Sequence, residues 1–160
     1  MTRLAVLAAV LSVGWPGCSS QETMSRLSPD EAKNIAQKME KRIAALVPSE
    51  YVESENQLKT GTVMPCGEAG YAWHGHLFLT LKGDPDFERT MRLVLADVRR
   101  DSQYRVGMTR LSDGTPIADI RGPLGAEYIA GEGVDDMQYE VSSSSPCFEL
   151  PDGIPSGGSF

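Results

Sequence analysis

The cysteines are the feature that most constrains how this chain of 160 residues can fold. There are three of them, Cys18, Cys66 and Cys147, and an odd number in an exported chain indicates that one has a separate role. If Cys18 is consumed by a modification, Cys66 and Cys147 can pair as a disulfide in an oxidising compartment. The alternative for these two residues is a metal site or a catalytic thiol pair, although the chain has no Cys-x-x-Cys or similar short ligand spacing.

The segment before Cys18 has the order of charge and hydropathy that is typical of a secretory signal peptide. Arg3 supplies a positive charge, residues 4–13 form an apolar run, and Gly17 is a small residue that suits peptidase cleavage. The apolar run is shorter than the ~20 residues that a membrane-spanning helix needs. A cysteine directly after a small residue is typical of bacterial lipoproteins. We therefore predict a signal peptide over residues 1–17 and acylation of Cys18.

The residues before Cys18 depart from the usual lipobox. Trp15 and Pro16 stand where Leu and a small residue are usual. The alternative is an ordinary secretory signal cut near Gly17 or Ser20, which would leave a secreted protein without a lipid. With acylation, residues 18–27 comprise the lipidated cysteine and a flexible tether. The expected location is then the extracytoplasmic face of the cell membrane, with the membrane as a partner through the lipid anchor.

Residues 28–150 are sufficient for a single domain with its own hydrophobic core. The formal net charge of the chain is −7, and no basic stripe or arm is present. This charge pattern argues against nucleic acid or an anionic lipid surface as a partner. Residues 151–160 are rich in Gly, Pro and Ser, which predicts a disordered tail.

Two segments carry the start signals and the apolar spacing of helices. In the first, Ser28 is the expected N-cap, Pro29 takes the first helical position and Glu31 completes a capping box. Its apolar stripe comprises Ala32, Ile35, Met39, Ile43 and Leu46, whereas Lys33, Gln37, Glu40 and Lys41 are expected to face water. In the second, Asp84 is the expected N-cap and Pro85 the first helical residue. Its apolar stripe comprises Phe87, Met91, Val94, Leu95 and Val98.

Alternating hydropathy predicts one long strand over residues 71–82, with Trp73 as a core residue. Shorter strands over residues 104–111, 117–121, 126–130 and 137–142 indicate an antiparallel meander, and residues 51–70 are interpreted as mostly loop. The predicted fold class is α+β. Two helices pack on one sheet of about four to five strands, antiparallel with a mixed sheet as the alternative, in a two-layer sandwich.

A disulfide between Cys66 and Cys147 would also constrain the sheet. Cys66 precedes the long strand, and Cys147 follows the last strand. Antiparallel pairing of these strands brings the two cysteines to the same end, whereas parallel pairing separates them by roughly 20 Å. We therefore predict that the long strand and the last strand run antiparallel.

His74 and His76 form the one motif that resembles a metal site. Residues two apart on a strand share a face, so both imidazoles can approach one ion. A catalytic zinc needs three protein ligands, and the chain has only two histidines. The alternative is a pair of exposed or partly stacked histidines beside Tyr71 and Phe78. Acidic residues concentrate near the last two strands, where solvent exposure is the expected role; they are Glu127, Glu132, Asp135, Asp136 and Glu140.

Catalytic motifs are missing from the sequence. There is no Gly-x-Ser-x-Gly nucleophile motif and no complete glycine-rich phosphate-binding motif. The prediction is therefore a domain that is not an enzyme and binds no cofactor.

The layout of the chain resembles a known group of proteins. A lipobox-like Cys18 precedes an amphipathic helix, a second helix after Pro85 and a β-meander, and the chain continues into Cys147-Phe148 and Leu150-Pro151. In these features it resembles small actinobacterial envelope lipoproteins, including the mycobacterial LppA/LppV type. The resemblance covers most of the chain after the signal peptide and concerns structural motifs. It implies a surface lipoprotein without an established activity and supplies no catalytic residues.

The expected function is that of a membrane-anchored extracytoplasmic lipoprotein whose domain binds a ligand or partner without catalysis. One alternative is a metal-dependent enzyme centred on His74 and His76. Another alternative is a structural or assembly factor that recognises another protein of the cell envelope.

Overall fold

The structure is a computed structural model that describes residues 26–67, 70–83, 85–135, 137–153 and 156–160. The predicted signal peptide and Cys18 lie outside the described residues, as do Asp84 and Asp136. The helices are α1 (Pro29–Ala44) and α2 (Phe87–Val98). The strands are β1 (Val52–Gln57), β2 (Thr62–Cys66), β3 (Gly70–Leu81), β4 (Arg105–Arg110), β5 (Pro116–Arg121), β6 (Glu127–Glu132) and β7 (Gln138–Ser144).

Helix α1 begins with the predicted capping box. The Oγ of Ser28 accepts a hydrogen bond from the backbone N–H of Glu31 at 3.3 Å, and the Glu31 carboxylate accepts one from the backbone N–H of Ser28 at 2.8 Å. These bonds satisfy two N–H groups that a helix start leaves without intrahelical partners. The helix ends before Pro48, as predicted.

The buried face of α1 differs from the predicted stripe, since Ile35 and Leu46 are only half-buried and Ala36 is buried in addition. Glu40 is fully buried although it was expected to face water. The reason is helical spacing, because Ala32, Ala36 and Glu40 recur every four residues on the side that faces the sheet. The sheet offers Glu40 polar partners, which are described below.

Helix α2 begins at Phe87, and the prediction that Pro85 opens it is wrong. Asp86 is the N-cap, since its carboxylate accepts a hydrogen bond from the backbone N–H of Arg89 at 2.8 Å. A carboxylate one position before the first helical residue satisfies a free N–H of the first turn. The predicted apolar stripe of this helix is buried, apart from the half-buried Phe87.

Within the described residues the sheet has seven strands, all of which pair antiparallel, so the expectation of about four to five strands is wrong. The strand order is β1-β3-β7-β6-β5-β4, and β2 also pairs with β3. The two additional strands come from residues 51–70, which were interpreted as loop. Strand β3 has twelve residues, and its long edge holds β2 along one half and β1 along the other. Backbone groups along this edge need partners, which explains why a polar sequence without alternation forms β1.

Both helices pack on the sheet, which confirms the predicted α+β fold. Helix α1 contacts β3 and β7, and helix α2 contacts β4, β5 and β6. The main core lies between these layers and includes Met39, Ile43, Leu77, Leu79, Met91, Val94, Ile120, Tyr128, Tyr139 and Val141. Arg42 of α1 joins the two helices by an ion pair with Asp97 of α2, at 2.9 Å.

The Cys66–Cys147 disulfide is present, with the two Cα atoms 5.9 Å apart. Strands β3 and β7 run antiparallel, as the disulfide argument predicted. Cys147 also fixes the turn before β6, because its backbone N–H donates to the carbonyl oxygen of Leu124 at 2.9 Å. The next residue, Gly125, has a φ of 77°, and a Cβ at this position would lie 2.9 Å from the Cys147 sulfur. Glycine therefore suits both the backbone conformation and the contact with the disulfide.

The last residues of the chain, within the predicted tail, form hydrogen bonds with the edge of β2. Gly61 and Phe160 exchange two backbone hydrogen bonds, and Ser159 forms a bridge with Thr62. The Nε1–H of Trp73 donates to the carbonyl oxygen of Phe160 at 3.0 Å. The outer edge of β2 and the polar edge of a buried indole both need partners, and residues 157–160 provide them.

Trp73 is fully buried in a second, smaller apolar cluster with Ala32, Ala36, Val63 and Phe148. Its ring lies over Gly75, where a Cβ atom would come within 1.9 Å of the indole. Gly75 thus makes room for Trp73 on the helix side of the sheet.

This close approach yields a prediction for Gly75→Ala. The added methyl group must displace the indole, so we expect a loss of about 1–3 kcal/mol in the free energy of unfolding, measured by urea denaturation. Gly107→Ala in β4 is the matched control, because nothing lies within 4 Å of a Cβ at that position. The control should change stability by less than about 0.5 kcal/mol. Equal effects of the two substitutions would contradict the assigned role of Gly75.

Candidate functional site

One face of the sheet is turned away from both helices, and we call it the uncovered face. Alternation along the strands directs the side chains at even positions of β3 and β7 to it, and the register aligns them across the strands. Its members near the centre are His74, His76 and Phe78 of β3, Glu140, Ser142 and Ser144 of β7, Glu127 and Ile129 of β6, and Asp119 and Arg121 of β5.

A polar cluster of three side chains lies at the centre of the uncovered face. The Nδ1 atom of His76 lies 2.7 Å from a carboxylate oxygen of Glu140, a distance that fits donation by the imidazole N–H. The hydroxyl of Ser142 donates to the same oxygen at 2.8 Å and lies 3.2 Å from His76 Nδ1. The imidazole is also stacked on Phe78, with ring centroids 5.7 Å apart. The cluster is therefore held from several sides by contacts within the domain.

The cluster does not have the geometry of a catalytic triad. In a triad the serine and the carboxylate contact different nitrogens of the histidine, so that the ring can accept the proton of the nucleophile. Here Ser142 and Glu140 both lie at Nδ1 of His76. The Nε2 atom makes no hydrogen bond with any described residue, which leaves it available to an external group.

His74 lies on the uncovered face one pair further along β3, opposite Ser144 and Thr62. Burial lowers the pKa of its imidazole, the neighbouring His76 lowers it further, and Glu127 partly offsets both effects. A lowered pKa keeps His74 neutral at physiological pH, so that it can donate or accept a hydrogen bond.

The structure brings His74 and His76 to the same face but adds no third ligand. No group of three or more His, Cys, Asp or Glu side chains that could hold a metal ion occurs within the described ranges. Cys66 and Cys147 are joined in the disulfide. A zinc site of the catalytic type needs three protein ligands, so the described residues do not fit one.

Of the acidic residues predicted to be exposed near the last two strands, Glu127, Glu132 and Asp135 are exposed, as expected, whereas Glu140 is half-buried. Arg121 of β5 pairs with Glu127 at 3.1 Å and also lies 3.5 Å from Asp119 of its own strand. Glu140 belongs to the His76 cluster. Sequence reasoning missed this cluster, because alternation shows that a side chain faces outward but does not show which residue lies opposite it.

A second polar cluster lies inside the domain, around Glu40. Its carboxylate accepts hydrogen bonds from the hydroxyl of Ser143 and from Nε2 of Gln57, the latter at 2.6 Å. Burial raises the pKa of Glu40, and the two hydrogen bonds only partly offset this effect. Sequence reasoning placed Glu40 on the solvent side, since its burial depends on partners from β1 and β7.

Tyr128 and Tyr139 are buried in the main core, and their hydroxyls have no hydrogen-bond partner among the described residues. Burial raises the pKa of both phenols above their ordinary value. Both side chains therefore remain neutral at physiological pH and act in the core by their apolar area.

Comparison with known proteins identifies no relative, since no family model, no curated protein and no solved structure matches this chain. Over the part of the chain that the structure describes, no helix has the length and hydropathy needed to cross a membrane. The fold and the site define the class of this protein as a disulfide-bonded, two-layer α+β domain with one uncovered sheet face.

The buried carboxylate of Glu40 yields a prediction about pH. Its pKa is raised in the folded state above the ordinary value of 4.5, so the stability it contributes is present below that value and is lost as the pH rises through the folded pKa. We expect Glu40→Gln to remove this loss, which urea unfolding at a series of pH values above 4.5 would measure.

The matched contrast is Glu31→Gln, on the same helix. Hydrogen bonds from Ser28 lower the pKa of the exposed Glu31, so its contribution is lost as the pH falls. The two substitutions should change the pH dependence of stability in opposite directions. The same direction for both would contradict the assignment of Glu40.

Proposed function

We propose that this protein is a lipid-anchored accessory domain outside the cytoplasmic membrane, which catalyses no reaction and binds another protein of the envelope. The observation that carries the binding role is the uncovered face with its preassembled His76 cluster. The resemblance to small actinobacterial envelope lipoproteins supports the same class.

The disulfide supports a location outside the cytoplasm. Disulfides form and persist in oxidising compartments and are rare where thiols are kept reduced. Cys66 and Cys147 are paired, so acylation of Cys18 would account for the third cysteine of the chain. This cysteine count supports the anchor.

The chemistry of the uncovered face favours a protein partner. Two of its carboxylates already have partners, as Glu140 contacts His76 and Glu127 pairs with Arg121, which lowers the cost of covering them. Apolar area for contact comes from the half-buried Phe78 and from Ile129, which is 47% exposed. Small ligands bind in concave sites, whereas the side of a sheet matches the broad surfaces of protein interfaces.

The anchor can be tested by the intact mass of protein extracted from membranes. We expect the mass of a chain that lacks residues 1–17 and carries acyl groups on Cys18. Reduction should add about two mass units, because the disulfide gains two hydrogens. Cys18→Ser should leave the protein without acyl groups and release it from the membrane. An unacylated Cys18 in the wild-type protein would contradict the anchor and favour the secreted alternative.

The binding face can be tested by photo-crosslinking from single positions of the protein in its native envelope. A crosslinker at Ile129 should capture a defined protein partner, and His76→Ala should reduce that capture by about tenfold if His76 is a binding hot spot. Leu93 on α2 is the matched control, because it is apolar and 45% exposed but lies on the helix side.

Two outcomes would contradict the proposed face. One is capture of the same partner from Leu93 as from Ile129. The other is stoichiometric zinc in the purified protein that is lost in His76→Ala, which would favour the metal-dependent enzyme.

A further inference from the structure

A groove between α1 and β1 has a charge opposite to that of the whole chain. Its volume is about 540 Å³, and we call it the lysine groove after the residues that line it: Lys33, Gln37, Lys41, Glu55, Asn56, Gln57 and Lys59. Three of these side chains are basic and one is acidic, although the formal net charge of the chain is −7. A local excess of positive charge in a concave site concentrates anions.

The walls of the lysine groove are held by hydrogen bonds between helix and strand. The Nε2 group of Gln57 donates to the carbonyl oxygen of Gln37 at 2.8 Å and to the buried Glu40. The Nε2 group of Gln37 donates in turn to the carbonyl oxygen of Leu58 at 3.0 Å. These reciprocal bonds fix the separation of α1 and β1, so a ligand would enter a preformed site.

The three lysine ammonium groups of the groove differ in how strongly other groups of the protein hold them. Lys33 lies over the rings of Trp73 and Phe160, at 5.7 Å and 5.2 Å from their centroids, which holds it at one position. Lys41 pairs with Glu55 at 3.4 Å, but both side chains are well exposed and such a pair is weak. Lys59 is exposed and has no ion pair with any described residue.

We propose that the lysine groove binds a phosphate ester. Lysine ammonium groups bind phosphate as compact point charges. Lys41 and Lys59 supply two ammonium groups that a phosphate can contact without breaking a strong ion pair of the protein. This site lies on the helix side of the sheet and is separate from the uncovered face, so the inference goes beyond the proposed function.

The test is calorimetric titration of the folded Cys18→Ser protein with glycerol 3-phosphate at low ionic strength. Lys59→Gln should weaken binding by about three- to fivefold, the range of an exposed ion pair. Glu55→Gln should strengthen binding by a similar factor, because it removes the acidic lining group and releases Lys41. A gain in affinity is a result that damage to the fold would not produce.

Lys38→Gln is the matched control, because Lys38 is exposed on the same helix but does not line the groove. It should leave the dissociation constant unchanged. The proposal would be overturned by an equal loss of affinity in Lys38→Gln and Lys59→Gln. It would also be overturned if the Cys18→Ser protein without further substitutions did not bind glycerol 3-phosphate.

The phosphate ester can come from a soluble compound or from a lipid headgroup, and vesicles distinguish the two. The Cys18→Ser protein has no acyl anchor, so sedimentation with phosphatidylglycerol vesicles that depends on Lys59 would identify a lipid headgroup. Glycerol 3-phosphate binding that depends on Lys59, without sedimentation, would identify a soluble ester. Sedimentation that does not depend on Lys59 would overturn the assignment of the groove.

Discussion

The pairing of the long strand β3 with three other strands is the constraint on which the rest of the structure depends. Strands β1 and β2 share one edge of β3, and β7 occupies the other. Because side chains alternate, the same strand contributes Leu77 and Leu79 to the main core and His74 and His76 to the uncovered face. A shift of one residue in this register would exchange the two sets. Core and candidate site are therefore set by one register.

The disulfide adds a covalent restraint to this arrangement. It closes a loop with a sequence separation of 81 residues, for which chain-entropy reasoning gives about 4.5 kcal/mol of stabilisation. It joins the end of β2 to the segment after β7, so both neighbours of the first half of β3 are tied together. The final residues of the chain reach the same region, where Phe160 accepts the hydrogen bond of the Trp73 indole. The disulfide and the last residue of the chain therefore restrain the same end of β3.

Consecutive serines of β7 serve opposite sides of the sheet. Ser142 bonds Glu140 on the uncovered face, and Ser143 bonds the buried Glu40 beneath α1. The hydroxyl of Ser145 accepts a hydrogen bond from the backbone N–H of Trp73 at 2.9 Å. A polar run that has no hydropathy pattern of its own therefore organises both clusters, because the pleat of the strand separates its side chains. The His76 cluster and the Glu40 cluster accordingly lie on opposite sides of the sheet.

Local signals in the sequence determined the capping box of α1 at Ser28, the apolar stripe of α2 and the long strand β3, and the odd count of cysteines predicted that Cys66 pairs with Cys147. The helix and strand features depend on residues close together in the chain, and the disulfide prediction depends on the odd number of cysteines. Neither needs tertiary information. Only the tertiary structure decided that residues 52–57 form a strand, that Glu40 is buried and that Glu140 meets His76. The physical reason is the same in each case. The position of an edge strand or of a polar side chain depends on a hydrogen-bond partner that is distant in the chain, and the sequence does not identify that partner.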